Sequence, residues 1–186
     1  MSNTGYKLLI VYNQIYFYDI KRNNVEIFKT KPESIKYDKI FNLNTFFNDV
    51  KHNNKIKKIS SKLSGERLEI IYWENYNDAD KKLLKDIFND LNFSLVEFVD
   101  IKELLKSNIP NLVLSSDGIH YLSDIGVFYS YESHYFDIGQ VISFIKEKNK
   151  ISSLILISKN IDLSVLDSDV LMYENNKTFF EDLLKM

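Results

Sequence analysis

The chain has 186 residues, 45% of them hydrophobic and 14% aromatic, with a formal charge of -2 and no cysteine. That is apolar material enough for one compact domain or two small lobes. A near-neutral charge gives no field that would draw the chain onto nucleic acid or an anionic membrane, and the missing cysteines exclude disulfides, thiolate metal sites and a cysteine nucleophile.

In chain order, Tyr6 to Val11, Ile15 to Ile20 and Val25 to Lys29 read as three successive strands. Their joins are tight: Tyr12-Asn13-Gln14 first, then Lys21 to Asn24, where paired asparagines tolerate left-handed backbone. Pro32 ends this meander. Asn42 or Asn44 caps a helix carrying Phe46, Phe47 and Val50, Asn53-Asn54 stops it, and Lys55 to Gly65 is a polar join. Leu68 to Trp73 forms the next strand. Asn77 caps the helix that follows, with Asp78 and Asp80 in its first turn, where carboxylates suit the positive end of the helix dipole. Leu83, Leu84, Ile87, Phe88 and Leu91 share one face of that helix, and Asn92 ends it. Ser94 to Val99 is a further strand, and Asp100 with Glu103 signs a short helix through Leu105. Three strands, then helix, strand, helix, strand and helix, is the element order of a ribonuclease H-like α/β fold. The crossover helices that parallel strands require are present.

After Asn108-Ile109-Pro110 the same order begins again in shorter form. Leu112 to Ser115, Ile119 to Leu122 and Val127 to Tyr135 form a second meander, turning at Asp117-Gly118 and near Asp124 to Gly126. Asp137 and Gln140 open a helix with Ile138, Val141, Ile142 and Ile145 on one side. Ser153 to Ser158 and Val170 to Tyr173 are strands, with a loop through Ile161 to Leu166 between them. Asn175 or Asn176 caps a final helix carrying Phe179, Phe180, Leu183 and Leu184. The expected organisation is two pseudo-repeated lobes, residues 1–109 and 110–186; the alternative is one mixed domain without a repeat.

Motifs for chemistry are scarce. His52, His120 and His134 are not at metal-ligand spacing, and the last two fall on hairpin strands, where a lone histidine is usually structural. No Gly-x-Ser-x-Gly elbow, Walker loop or dinucleotide fingerprint occurs. A ribonuclease-type site needs carboxylates converging on two metals, beginning on the first strand, and Lys7 to Val11 supplies none. Lysines such as Lys55, Lys57 and Lys58 are interleaved with acids and read as solvated surface, not as a phosphate track. Tyrosines are the remaining lead. Tyr6, Tyr12, Tyr16 and Tyr18 line the first hairpin, and Tyr121, Tyr129, Tyr131 and Tyr135 the second meander. Such rings suit a protein interface or ordinary cross-strand packing.

Ser60 to Ser107 resembles the first lobe of the actin-like ATPase superfamily, the group of DnaK-type chaperones, actin, FtsA and PilM. The resemblance lies in Leu68 to Tyr76 followed by Asn77-Asp78-Ala79-Asp80, which look like the family's strand and its Asn-Asp-Ala helix start, and in Lys7 to Lys29, similar to its opening meander. Ile151 to Asp162 is similar, in hydrophobicity, to the strand before the family's adenosine-binding glycines. The departures bear on function. Where the family's first strand ends in an Asp-x-Gly phosphate loop, this chain has Val11-Tyr12-Asn13-Gln14, without glycine or aspartate. Ser158-Lys159-Asn160 replaces the adenosine-binding glycines. Asp117-Gly118, near the place of the second phosphate loop, is explained by a hairpin turn, as is Asp124-Ile125-Gly126.

The resemblance therefore implies a retained scaffold without nucleotide chemistry: no catalytic residue, no cofactor and no metal. By likeness to PilM-type and GspL-type members, the expected role is a non-catalytic scaffold or adaptor of a bacterial secretion, pilus or competence apparatus. The expected location is the cytoplasm, since the sequence has no signal peptide and no apolar run long enough to span a bilayer. The expected partners are proteins of a membrane-associated machine or a second copy of the chain, without nucleic acid and without membrane insertion. Tyr12, Tyr16, Tyr18, Tyr121, Tyr129 and Tyr131 are the candidate contact residues. The alternatives are an ATPase with an aberrant site and a phage or host inhibitor module that binds a protein target.

Overall fold

The structure, a computed structural model, describes residues 5–11, 14–31, 35–36, 39–40, 42–54, 56–58, 66–72, 76–104, 111–114, 119–122, 128–131, 137–152, 154–158 and 170–186. The opening meander is made of β1 (Tyr6–Val11), β2 (Gln14–Asp19) and β3 (Asn24–Lys29). Its ladders are antiparallel and in unbroken register, from Tyr6 opposite Asp19 to Val11 opposite Gln14, and from Gln14 opposite Lys29 to Asp19 opposite Asn24. Asn23 makes the second turn in the left-handed region, at φ 49. Tyr18 Oη donates to its side-chain carbonyl at 3.1 Å. Just before β1, Gly5 sits at φ +157, and a Cβ there would lie 3.1 Å from the Arg67 carbonyl oxygen.

Helix α1 (Leu43–His52) begins where Asn42 accepts the Thr45 N–H at 3.1 Å. The join after it differs from the sequence expectation. Asn54 and Ile56 to Lys58 are helical, Ile56 is fully buried, and the Asn53 side chain accepts the Ile56 N–H at 3.3 Å. One apolar residue among lysines is enough to dock this turn. A two-stranded ladder of β4 (Ile35–Lys36) and β5 (Lys39–Ile40) was not anticipated either. Then come β6 (Glu66–Tyr72), α2 (Asp78–Asp90), β7 (Phe93–Asp100) and α3 (Ile101–Leu104).

At the start of α2 the side-chain Oδ1 of Asn77 accepts from Asp80 N at 2.9 Å, and an Asp80 carboxylate oxygen accepts from Asn77 N at 3.0 Å. This reciprocal pair satisfies donors that a helix start otherwise leaves bare. At the far end Asn92, at φ 67, turns the chain into β7.

β1 pairs in parallel with β6, and β6 in parallel with β7, so the sheet runs β3-β2-β1-β6-β7. Alternation along the strands sends Leu8, Ile10, Ile15, Phe17, Leu68 and Ile70 to one side. There they pack with Phe46 and Val50 of α1 and with Leu84, Ile87 and Phe88 of α2. Burying each such side chain contributes about 1.5–3 kcal/mol. The sheet's other side divides lengthwise. Leu9, Val11, Tyr16 and Ile71 are buried, whereas Lys7, Arg67, Glu69 and Glu97 form a line of ion pairs across β1, β6 and β7.

A second sheet, β10-β9-β8-β11-β12, is built from β8 (Asn111–Leu114), β9 (Ile119–Leu122), β10 (Phe128–Tyr131), β11 (Leu154–Ser158) and β12 (Val170–Asn175). Its first three strands are antiparallel, and β11 lies parallel to both β8 and β12. Helix α4 (Ile138–Asn149) is capped by Asp137, whose Oδ1 accepts from Gly139 N at 2.9 Å and Gln140 N at 3.2 Å. It buries Val141, Ile142 and Ile145. The last helix, α5 (Asn176–Lys185), buries Phe180, Leu183 and Leu184.

The chain divides into two compact units, Met1–Leu104 together with Glu181–Met186, and Leu105–Phe180. The division thus falls five residues before the expected 109/110 boundary, and the end of the chain goes with the first unit.

Candidate functional site

In the first sheet, the carboxyl ends of the parallel strands are where an open α/β sheet ordinarily receives a ligand. β1 ends at Val11, and its pairing with Gln14 leaves two residues to close the hairpin. Those two, Tyr12 and Asn13, lie outside the described residues. A ladder paired to its last residue leaves no run of backbone N–H groups long enough to wrap a phosphate.

β6 ends in an aromatic wall. The Tyr72 ring stacks with Tyr76 at 6.2 Å, meets Phe98 edge-on at 6.2 Å, and carries the Lys81 ammonium 3.9 Å from its centroid. The neighbouring start of α2 is already capped by Asn77 and by the Asp80 carboxylate, which would repel an anion.

A polar hollow of about 530 Å³ opens beside α1, lined by Lys29, Lys31, Asn48, Asp49, His52 and Asn53. Asp49 Oδ2 accepts the Lys31 N–H at 2.8 Å, and His52 Nδ1 lies 2.7 Å from the Asn48 carbonyl oxygen, which it can reach only as a donor. These groups therefore serve the chain's own hydrogen bonding. Among the described residues no group of three or more histidines and carboxylates could hold a metal ion.

Three of the six candidate tyrosines, Tyr16, Tyr18 and Tyr121, have described side chains. Tyr16 and Tyr18 are neighbours on one side of β2, and both are buried, as is Tyr121 on β9. Their rings belong to the chain's own packing, which corrects the expectation that they line a face open to a partner. β2 lies between β1 and β3, and both of its sides are covered. Tyr16 Oη donates to Gln14 Oε1 at 3.3 Å. Burial, and then the Glu181 carboxylate, push the Tyr16 phenol up to about 12. Tyr6 is raised as well, by burial and then by Asp19 and Glu66.

Tyr129 and Tyr131 stand on the edge strand β10, opposite Tyr121 and Ile119. Tyr12 lies outside the described residues, as do His134, Asp117-Gly118 and Asp124 to Gly126. His52 is exposed on α1, and His120 lies on β9 opposite Val113.

Sequence reasoning missed the ion pairs on the far side of the first sheet. Lys7 Nζ is 3.9 Å from Glu69, and Arg67 reaches Glu69 at 2.8 Å and also Glu97. Each charge looks ordinary in its own strand. Only the registers Lys7–Glu69 and Glu69–Glu97 align them.

Sheet order, crossover helices and the Asn77 helix start together define an actin-like fold of the ribonuclease H-like kind. Solved structures of that class superpose on the chain. The cytoplasmic domain of EpsL, an inner membrane component of the type II secretion system of Vibrio cholerae, does so at TM-score 0.53 and 7% identity, over 97% of this chain and 95% of its own. MreB5 of Spiroplasma citri bound to AMPPNP gives 0.51 at 11% identity, over 81% of this chain and 59% of its own. The MamK double helical filament gives 0.53 at 7% identity, over 87% and 63%. The chain thus spans less than two thirds of the MreB5 and MamK chains. At such identities the likeness is one of fold. No protein-family model matches the sequence, and no curated protein does.

Proposed function

We propose that this chain is a non-catalytic, actin-like scaffold or adaptor in a bacterial multiprotein assembly of the secretion, pilus or competence kind, working in the cytoplasm through protein–protein binding. The observation that carries the reading is the closed β1–β2 hairpin, paired through Val11 and Gln14 and left with two residues and no glycine. A phosphate loop needs both the length and the glycines. The setting is supported by the near full-length likeness to the EpsL cytoplasmic domain. In addition, no helix among the described residues is long and apolar enough to cross a membrane. On this reading the contacts to a partner come from Tyr12 at the first hairpin and from Tyr129 and Tyr131 on the edge strand β10.

Calorimetric titration with ATP and magnesium tests the absence of nucleotide chemistry. No heat of binding is expected, and affinity in the micromolar range would reject the proposal. Capture of partners from the native host tests the role. Secretion or pilus components support it, and recovery of a defence enzyme instead would favour an inhibitor.

A further inference from the structure

The outer edge of β7 is the feature left without a role. Edge strands are normally kept short, or protected by charged side chains (lysine above all), a proline, a bulge or a covering element, because their unpaired backbone groups pair readily with another strand. β7 has eight residues with neither lysine nor proline; of its two charges Asp100 is terminal and Glu97 is paired with Arg67, and its register shift lies at its beginning, opposite Glu66 and Arg67. Among the described residues its strand neighbour is β6 alone. Leu95, near the middle, is 48% exposed. Beside it, the paired side chains of Arg67 and Glu97 keep 50% and 43% of their surface in solvent.

We propose that β7 pairs with β7 of a second copy, antiparallel about a two-fold axis at Val96, joining two first sheets into one of ten strands. The occupant follows from the charges. Glu69 stands opposite Glu97, and Arg67 opposite Leu95, within one copy. An axis at Val96 sets Glu97 opposite Leu95 of the second copy. The row across the joint then reads Lys7, Glu69, Glu97, followed by Leu95 and Arg67 of the second copy. Each Arg67 is placed to reach over Leu95 toward the other copy's Glu97 while it keeps its own. Moving the axis to Glu97 would set the two carboxylates face to face, which is destabilising. The interface is isologous, so a single set of residues serves both sides. This inference goes beyond the scaffold reading and does not depend on it, because a chain with no other protein partner would still form the pair.

Sedimentation equilibrium of the full chain is expected to show a monomer–dimer equilibrium. Leu95→Lys places a charge in the joint and is expected to weaken the dimer about tenfold or more, with the far-UV circular dichroism unchanged because Leu95 is half exposed. The register is read with single cysteines, since the chain has none of its own. Leu95→Cys chains mixed with Glu97→Cys chains should cross-link on oxidation chiefly as the mixed pair, whose side chains face each other across the joint. A chain that stays monomeric through the high-micromolar range overturns the proposal. So does a dimer indifferent to Leu95→Lys, or cross-linking in the statistical ratio of mixed and like pairs.

Discussion

The two sheets share one strand plan, β3-β2-β1-β6-β7 in the first and β10-β9-β8-β11-β12 in the second, yet the sequences that join their opening strands differ in length and composition. In the first, pairing continues to Val11 and Gln14, and two residues remain. In the second, the last pair among the described residues is Leu114 with Ile119, and the sequence between them is Ser115 to Gly118, ending in Asp117-Gly118. A sheet order is fixed by ladders and buried side chains, whereas a turn is fixed by a few local residues. One plan can therefore keep its architecture while the turns that join its strands differ.

The sharpest way to break the comparison is to remove what holds the first hairpin to its helices. Phe17 of β2 is buried, stacked on Tyr6 at 5.0 Å and edge-on to Phe93 at 6.5 Å. Phe17→Ala is expected to cost about 3–5 kcal/mol in urea unfolding, the usual loss for a buried aromatic replaced by a cavity. Next in size is an alkaline effect. Tyr16 ionises at about 12 in the folded chain, against 10.0 when unperturbed. Its folded value is the higher one, so the native state holds this proton more tightly. The stabilisation is complete below pH 10 and is lost as pH rises from 10 to 12. Two pH units correspond to about 2–3 kcal/mol, and Tyr6 acts in the same direction. Unfolding midpoints measured across that range should fall, and Tyr16→Phe should remove most of the fall.

Much of this fold is legible in the residues themselves. The strands of the first sheet carry continuous or alternating apolar runs, and Asn77, Asp80 and Asn92 punctuate α2 where capping chemistry predicts. The two-residue strands β4 and β5 have no period to detect, and Ile56 is one apolar residue in a lysine-rich join. Tyr16 and Tyr18 misled for a different reason. On a strand covered on both sides, such as β2, side-chain type no longer reports which side faces water. The ion pairs of Lys7, Arg67, Glu69 and Glu97 were hidden because register is not written in any one strand. The Leu105–Phe180 unit was anticipated in element order, with its boundary displaced.

The helix ends carry the smaller predictions. Asn77→Ala removes the side-chain acceptor for Asp80 N, while the backbone N–H of residue 77 still donates to the Asp80 carboxylate. It should cost about 1 kcal/mol, seen as a lower unfolding midpoint.

Smaller still is a gain at the end of α4. There Ile151 N donates to the Lys146 carbonyl oxygen at 3.1 Å, around Lys150 at φ 54 and ψ 39. This is the loop-back geometry whose central residue is usually glycine, because a Cβ is strained in the left-handed region. Asn92 meets the same demand after α2 at φ 67, with a side chain that tolerates it. Lys150 is exposed and has no such adaptation. Lys150→Gly should therefore stabilise by about 0.5–1 kcal/mol, the relieved strain exceeding the added freedom of the unfolded chain. Asn92→Gly should change stability by only a few tenths of a kcal/mol. Equal responses at the two positions, measured by thermal unfolding, would mean that the helices of the two units end under the same constraint.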